Sequence, residues 1–89
     1  TDCSGFTMRV FQRFGHSLPR TSGAQASATR SVSQGSERPG DLFFYGSGHV
    51  SHVAIYIGNG QIIHASNPSD GIKISSAYYR KPIKIGRVL

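Results

Sequence analysis

Apolar positions follow two different rhythms along the chain. In residues 3–14, CSGFTMRVFQRF, Phe6, Val10 and Phe14 recur at i, i+4 and i+8 while Arg9 and Arg13 turn away. This spacing predicts a helix with one apolar face. Asp2 is suited to cap its start and Gly15 to stop its end. Residues 16–40 lose the rhythm and are rich in Ser, Thr, Gly and Ala, the composition of a linker or an ordered surface loop. Leu18-Pro19 closes the helical region, and Ser22-Gly-Ala-Gln25 has capping-box spacing for one short helix. From the Pro39-Gly40 turn signal onward, strand formers dominate in Asp41 to Tyr45, His52 to Ile57, Gln61 to Ala65, Ile72 to Ser75 and Ile83 to Val88, separated by short Gly, Asn, Ser and Pro links. A helix followed by a run of short strands predicts an α+β domain, the helix packed on an antiparallel sheet. No internal repeat is evident.

Composition adds bounds to this picture. Eighty-nine residues suffice for one domain over 1–89, near the small end of chains that build their own core. A single cysteine excludes an internal disulfide. No apolar run approaches the roughly 20 residues of a membrane span, and no signal-peptide pattern is present. A start at Thr1, two residues before a chemically suggestive cysteine, reads as an N-terminally incomplete piece of a longer protein. The formal net charge of +6 points to an anionic partner such as nucleic acid, acidic lipid or an acidic wall polymer. The basic residues are dispersed and no aromatic platform is interleaved with them, which argues against nucleic acid.

The candidate chemistry centres on Cys3. A thiol in the first turn of a helix lies near the positive end of the macrodipole and near unpaired backbone N–H groups, which favour a thiolate and can hold an oxyanion. The stretch GHVSHVAIYIGNGQIIHA offers His49, His52 and His64. Along the strand, His52, Ala54 and Tyr56 share one face and Val53, Ile55 and Ile57 the other. His52 is thus free to meet the helix start, whereas His49 sits in a Gly/Ser loop and reads as a solvated surface residue. The place of His64 depends on the hairpin. A two-residue Asn59-Gly60 turn pairs Gly58 with Gln61 and puts His64 on the Ile55 face, away from His52. A three-residue Gly58-Asn59-Gly60 loop pairs Ile57 with Gln61 and sets His64 diagonal to His52. Only the second register builds a Cys3–His52–His64 relay of nucleophile, base and orienting group.

Five blocks, DCSGF at 2–6, LPRTSGAQA at 18–26, PGDLFFY at 39–45, HVAIYIGNGQIIHA at 52–65 and GIKIS at 71–75, resemble in order and spacing the NlpC-type cell-wall peptidases, papain-like cysteine endopeptidases. The resemblance implies a papain-like fold and cleavage of peptidoglycan stem peptides, most typically between γ-D-glutamate and a diamino acid. It places Cys3 at the nucleophile, His52 at the base and His64 at the orienting third group. Asp2 and Ser4 fall where family members bind the stem peptide and its amino end. Pro39-Gly40-Asp41 falls on the turn into the first strand, and Leu18-Pro19-Arg20 on a loop beside the cleft. The family pattern continues upstream with a tyrosine of the oxyanion and substrate site, so a preceding segment of the same protein is implied. Ala54 stands where many members carry glycine. A secreted or wall-associated bacterial protein is implied, with stem peptides as substrate, anionic wall polymers as a further partner and no cofactor.

Two other function classes are compatible with the same residues. An inactive domain of this scaffold would bind wall peptides without cutting them, and a related amidase or acyl transferase would keep the thiol and change the bond. A metal site built from Cys3, His49, His52 and His64 lacks a second cysteine or paired carboxylates to support it.

Overall fold

The computed structural model describes residues 2–67 and 71–89. Two helices, α1 (Cys3–Arg13) and α2 (Ser22–Ala28), precede six strands: β1 (Arg30–Ser31), β2 (Leu42–Gly46), β3 (Val50–Gly58), β4 (Gln61–Asn67), β5 (Gly71–Ser76) and β6 (Lys84–Arg87). The strands form one antiparallel sheet in the order β1-β6-β2-β3-β4-β5. The fold is the expected α+β arrangement, with five strands at the anticipated places. The two-residue β1 was not anticipated, being too short to carry an alternation pattern. The 16–40 stretch is an ordered part of the fold: it contributes α2 and β1, and Glu37 accepts a hydrogen bond from the Tyr78 hydroxyl at 3.0 Å.

Each face of the sheet carries its own apolar cluster, as the alternation of side chains along β2 and β3 requires. On one face Leu42, Phe44, Val53 and Ile55 pack with Phe11 of α1 and Ala26 of α2. On the other lie Phe43, Tyr45, Ala54, Tyr56, Ile62, Ala77 and Ile85. Phe43 and Tyr56 stack at 5.2 Å between ring centroids. The Tyr45 hydroxyl donates to the Ala77 carbonyl at 2.6 Å, which ties the segment after β5 over this second face.

α1 begins and ends on the expected residues. The Asp2 carboxylate accepts from the Gly5 N–H at 2.7 Å. At the other end Gly15 takes φ +83°, its N–H bonds the Gln12 carbonyl, and the N–H of His16 bonds that of Phe11. This is a Schellman stop, which favours glycine at the left-handed position. The apolar face differs from expectation. Phe14 lies beyond the helix and is 74% exposed, while Phe11 is buried. The buried side runs Ser4, Thr7, Phe11, and its polar first half is invisible to a count of apolar spacings.

The expected capping box on α2 is also corrected. Thr21, not Ser22, caps the helix, its side chain accepting from the Ala24 N–H. Gln25 does not reach back to the cap. Fully buried, it donates from Nε2 to the carbonyls of Ser4 and Pro19 at 3.0 and 2.9 Å, and its Oε1 accepts from the Thr7 hydroxyl at 2.7 Å. A buried amide must satisfy both ends, and α1 supplies partners for both.

Candidate active site

The β3–β4 hairpin decides which side chains meet, and it combines features of both anticipated forms. The turn has two residues: Gly58 pairs with Gln61, and Asn59 and Gly60 take φ +54° and +72°, as a type I′ turn requires. Yet Tyr56 pairs with Ile62 and Ile55 with Ile63, so Ile57 is an extra residue on β3. This β-bulge shifts the register by one. Continued one step, the pairing sets His64 level with Ala54 and diagonal to His52, as in the three-residue form. The two imidazoles meet: His52 Nε2 and His64 Nδ1 are 2.7 Å apart, their rings near perpendicular.

α1 packs against the Val53–Ile55 face, where Phe11 is buried and Cys3, Phe6 and Val10 pack beside it, and its first turn stands at the edge of this contact. Asp2 and Cys3 thereby line one cleft of about 350 Å³ with Ser51, His52, Ala65, Ser66 and Asn67. The nucleophile candidate and the base candidate face the same space, and the third histidine stands directly behind the base. His49 is outside this cleft lining. Among the described residues, no three or more His, Cys, Asp or Glu side chains are grouped to hold a metal ion.

Behind His52 the environment is closed. His64 is only 2% exposed, and its far nitrogen, Nε2, is 2.9 Å from the Ser75 hydroxyl on β5. Tyr45 stands 6.0 Å from His52, and Tyr79 6.0 Å from His64, ring to ring. Burial lowers the pKa of His52 to about 4, helped by the neighbouring His64 and the Arg80 guanidinium. Burial also lowers His64, with Lys73 acting in the same direction. Both rings are therefore neutral near pH 7, and a neutral imidazole can accept a proton.

The two residues flanking Cys3 are placed differently from each other. Asp2 lies on the cleft rim, its carboxyl held below the usual range by hydrogen bonds from Arg20 and the Gly5 N–H. Ser4 is buried beneath the helix start and does not line the cleft. Its hydroxyl accepts from Arg20 Nη1 at 3.0 Å, and the other Arg20 terminal nitrogen meets Asp2 at 3.0 Å. Arg20 thus clamps both neighbours of the cysteine, which gives the Leu18-Pro19-Arg20 block a physical role beside the cleft. Ser75 and Gln25 are the polar groups near the site whose roles the sequence did not disclose. Asp41 behaves as its block suggested: its carboxylate accepts from the Arg38 N–H at the turn into β2 and pairs with Arg87 at 2.8 Å.

The architecture and the ordered motifs have counterparts among known proteins. Residues 1–85 match the NlpC/P60 family, and the chain belongs to that family. It is 53% identical over 79 residues to the probable endopeptidase p60 of Listeria innocua, an alignment covering 86% of this chain and 16% of that protein. It is 46% identical over 85 residues to the murein DD-endopeptidase MepS/murein LD-carboxypeptidase of Escherichia coli, covering 90% of this chain and 45% of that one. The chain therefore spans less than half the length of these curated relatives. Among solved structures, RipD of Mycobacterium tuberculosis, described as a non-catalytic NlpC/p60 domain protein adapted to peptidoglycan binding, superposes with a TM-score of 0.87 at 32% identity. That match covers all of this chain and 67% of the other.

Proposed function

We propose that these 89 residues form one domain of a longer, secreted or wall-associated bacterial protein, and that the domain is a peptidoglycan endopeptidase. Cys3 is the nucleophile, His52 the general base and His64 the group that orients it. The observation that carries this reading is the 2.7 Å contact between His52 and His64 in the wall of a cleft that Cys3 also lines. With Nε2 of His52 engaged by His64, its Nδ1 is left to take the thiol proton. The Cys3 sulfur attacks the peptide carbonyl as its proton passes to the imidazole, the imidazole returns that proton to the leaving amine, and water, deprotonated by the same imidazole, then cleaves the Cys3 thioester and restores the thiol. Asp2 Oδ1 occupies the Gly5 N–H and the Asp2 carbonyl that of Phe6. Cys3 and Ser4 contribute the other first-turn N–H groups, the donors for the oxyanion.

The bond cut is the one between γ-D-glutamate and the diamino acid of the stem peptide. On the cleft rim, the ionised Asp2 carboxylate receives the peptide's amino end, while Ser4 acts through Arg20 by fixing the guanidinium beside that carboxylate. The excess of ten Lys and Arg over four Asp and Glu speeds encounter with anionic wall polymers, an effect that salt weakens. A binding-only role is the second reading, favoured by the likeness to the non-catalytic RipD. Mass spectrometry of purified muropeptides incubated with the protein and with Cys3→Ser separates the two. The hydrolase reading expects new products with wild type and none with Cys3→Ser, their masses locating the bond. Muropeptides that are bound but left intact by the wild-type protein carrying its native upstream segment would overturn it in favour of binding.

A further inference from the structure

We propose that Ser75 is a positioning residue that makes the base-competent tautomers of both histidines accessible through the hydrogen-bond chain Ser75–His64–His52. This inference rests on the proposed roles of His52 and His64, and its primary readout requires no substrate.

The argument starts from the number of protons. Two neutral imidazoles joined by one contact, Nε2 of His52 to Nδ1 of His64, share a single hydrogen between those nitrogens. Each ring has one further nitrogen, which bears a hydrogen in one arrangement and a lone pair in the other. If His52 donates from Nε2, its Nδ1 is a free acceptor, as a base requires. His64 then carries its own hydrogen on Nε2. If His64 donates from Nδ1 instead, the hydrogen of His52 moves to Nδ1 and the base is lost. The two arrangements thus differ at the far end of the chain, in whether His64 Nε2 bears a hydrogen.

That far end is largely withdrawn from water: His64 is 2% exposed, and Ser75, on the edge strand β5, is half-buried. Its partner there is the Ser75 hydroxyl at 2.9 Å. An N–H buried without an acceptor is among the least tolerated groups in a protein interior. Ser75 Oγ supplies that acceptor; its hydroxyl can also donate to a bare Nε2, so serine permits the base-competent arrangement that alanine does not. With Ser75 replaced by alanine, the buried ring escapes an orphaned N–H by carrying its hydrogen on Nδ1, toward His52. Both tautomers then invert together. The three residues stand on three adjacent strands, β3, β4 and β5, so the chain runs across the sheet. Ser75 pairs with Ile62, two residues from His64, and reaches it diagonally.

The test is ¹⁵N NMR of the imidazoles at pH 7, where both rings are neutral. Wild type is expected to show the Nε2–H tautomer at both histidines, Ser75→Ala the Nδ1–H tautomer at both, and Ser75→Thr, which keeps the hydroxyl, the wild-type pattern. In muropeptide cleavage Ser75→Ala should lose at least tenfold in kcat with KM little changed, and Ser75→Thr should recover it. Should Ser75→Ala fail to fold, Ser75→Cys preserves the volume with a much weaker acceptor and must show the inversion. Wild-type tautomers in Ser75→Ala or Ser75→Cys, or an Nδ1–H His52 in the wild type, would overturn the proposal. Absence of cleavage by the wild type, with the tautomers behaving as expected, would count against the hydrolase reading alone.

Discussion

Acidification should destabilise this fold well before its carboxylates titrate, and His52 is the reason. Its pKa is pushed down to about 4 in the folded state by burial, by His64 and by Arg80, against about 6.5 in an unfolded chain. Between those values the unfolded chain binds a proton that the folded state refuses. Stability is therefore constant with respect to this group above pH 6.5 and falls as pH drops from 6.5 toward 4. The full interval corresponds to a ceiling of about 3 kcal/mol at 1.36 kcal/mol per pH unit. Because His52 is only partly buried and lines an open cleft, solvent screening reduces this to about 1–2 kcal/mol. His64, shifted the same way, adds to the loss. Urea denaturation at half-unit steps from pH 7.5 to 4.5 measures the slope. His52→Gln retains an amide that can donate to His64 Nδ1 but does not titrate, so its curve should be flatter by the His52 share. A wild-type unfolding free energy that stays level over this range, or an NMR titration placing His52 near 6.5, would refute the reasoning.

Two substitutions away from the cleft test the packing that holds it. Gln25→Ala removes three hydrogen bonds, two of them buried, and takes the amide from the part-buried Pro19 carbonyl; at about 1 kcal/mol per bond plus the cavity, we expect a loss of about 3–4 kcal/mol by urea denaturation, and a loss under about 1 kcal/mol would show that α1 and α2 are held by other contacts. Gly86→Ala places a methyl 2.6 Å from Thr29 Cβ and 3.1 Å from a Phe44 ring carbon, in a strand paired on both sides. Overpacking of about 1–3 kcal/mol should lower the thermal midpoint by at least about 5 °C, and an unchanged midpoint would mean that β1 and the Thr29 segment yield freely.

Much of this structure is legible in the order of the residues because short-range rules govern it. Alternation reveals the strands from Leu42 to Arg87, Asp2 and Gly15 mark the helix ends, and the single Cys3 in the first turn of the helix announces itself. The parts that stayed hidden depend on partners distant in sequence. Gln25 looked like a cap residue because its neighbours fit the capping spacing, whereas its actual partners, Ser4, Thr7 and Pro19, are brought to it by helix packing. Ser75 gave no signal, since its relation to His64 exists only once β5 is aligned with β4. The helix stripe misled at Phe14 for a related reason. Its end is fixed by Gly15, and the polar Ser4–Thr7 segment takes the buried side that a purely apolar count would assign elsewhere.

The hairpin shows how a local preference and a distant requirement are reconciled. Asn59-Gly60 strongly favours a two-residue turn, and a two-residue turn with regular pairing would turn His64 toward Ile55 and the helices. The contact with His52 requires the opposite face. A longer turn would satisfy the contact, but it would give up the favourable type I′ conformation at Asn59 and Gly60. The bulge at Ile57 satisfies both demands by inserting one residue into β3 between the turn and the His52–His64 contact, with Gly58 at φ +91° beside it. Ile57 consequently leaves the buried row of Val53 and Ile55 and stands 39% exposed. An exposed isoleucine near the end of an alternating strand has no packing rationale of its own. Its position follows from the register that brings His64 to His52, so the contacts from His52 through His64 to Ser75 depend on one residue added to β3 near the turn.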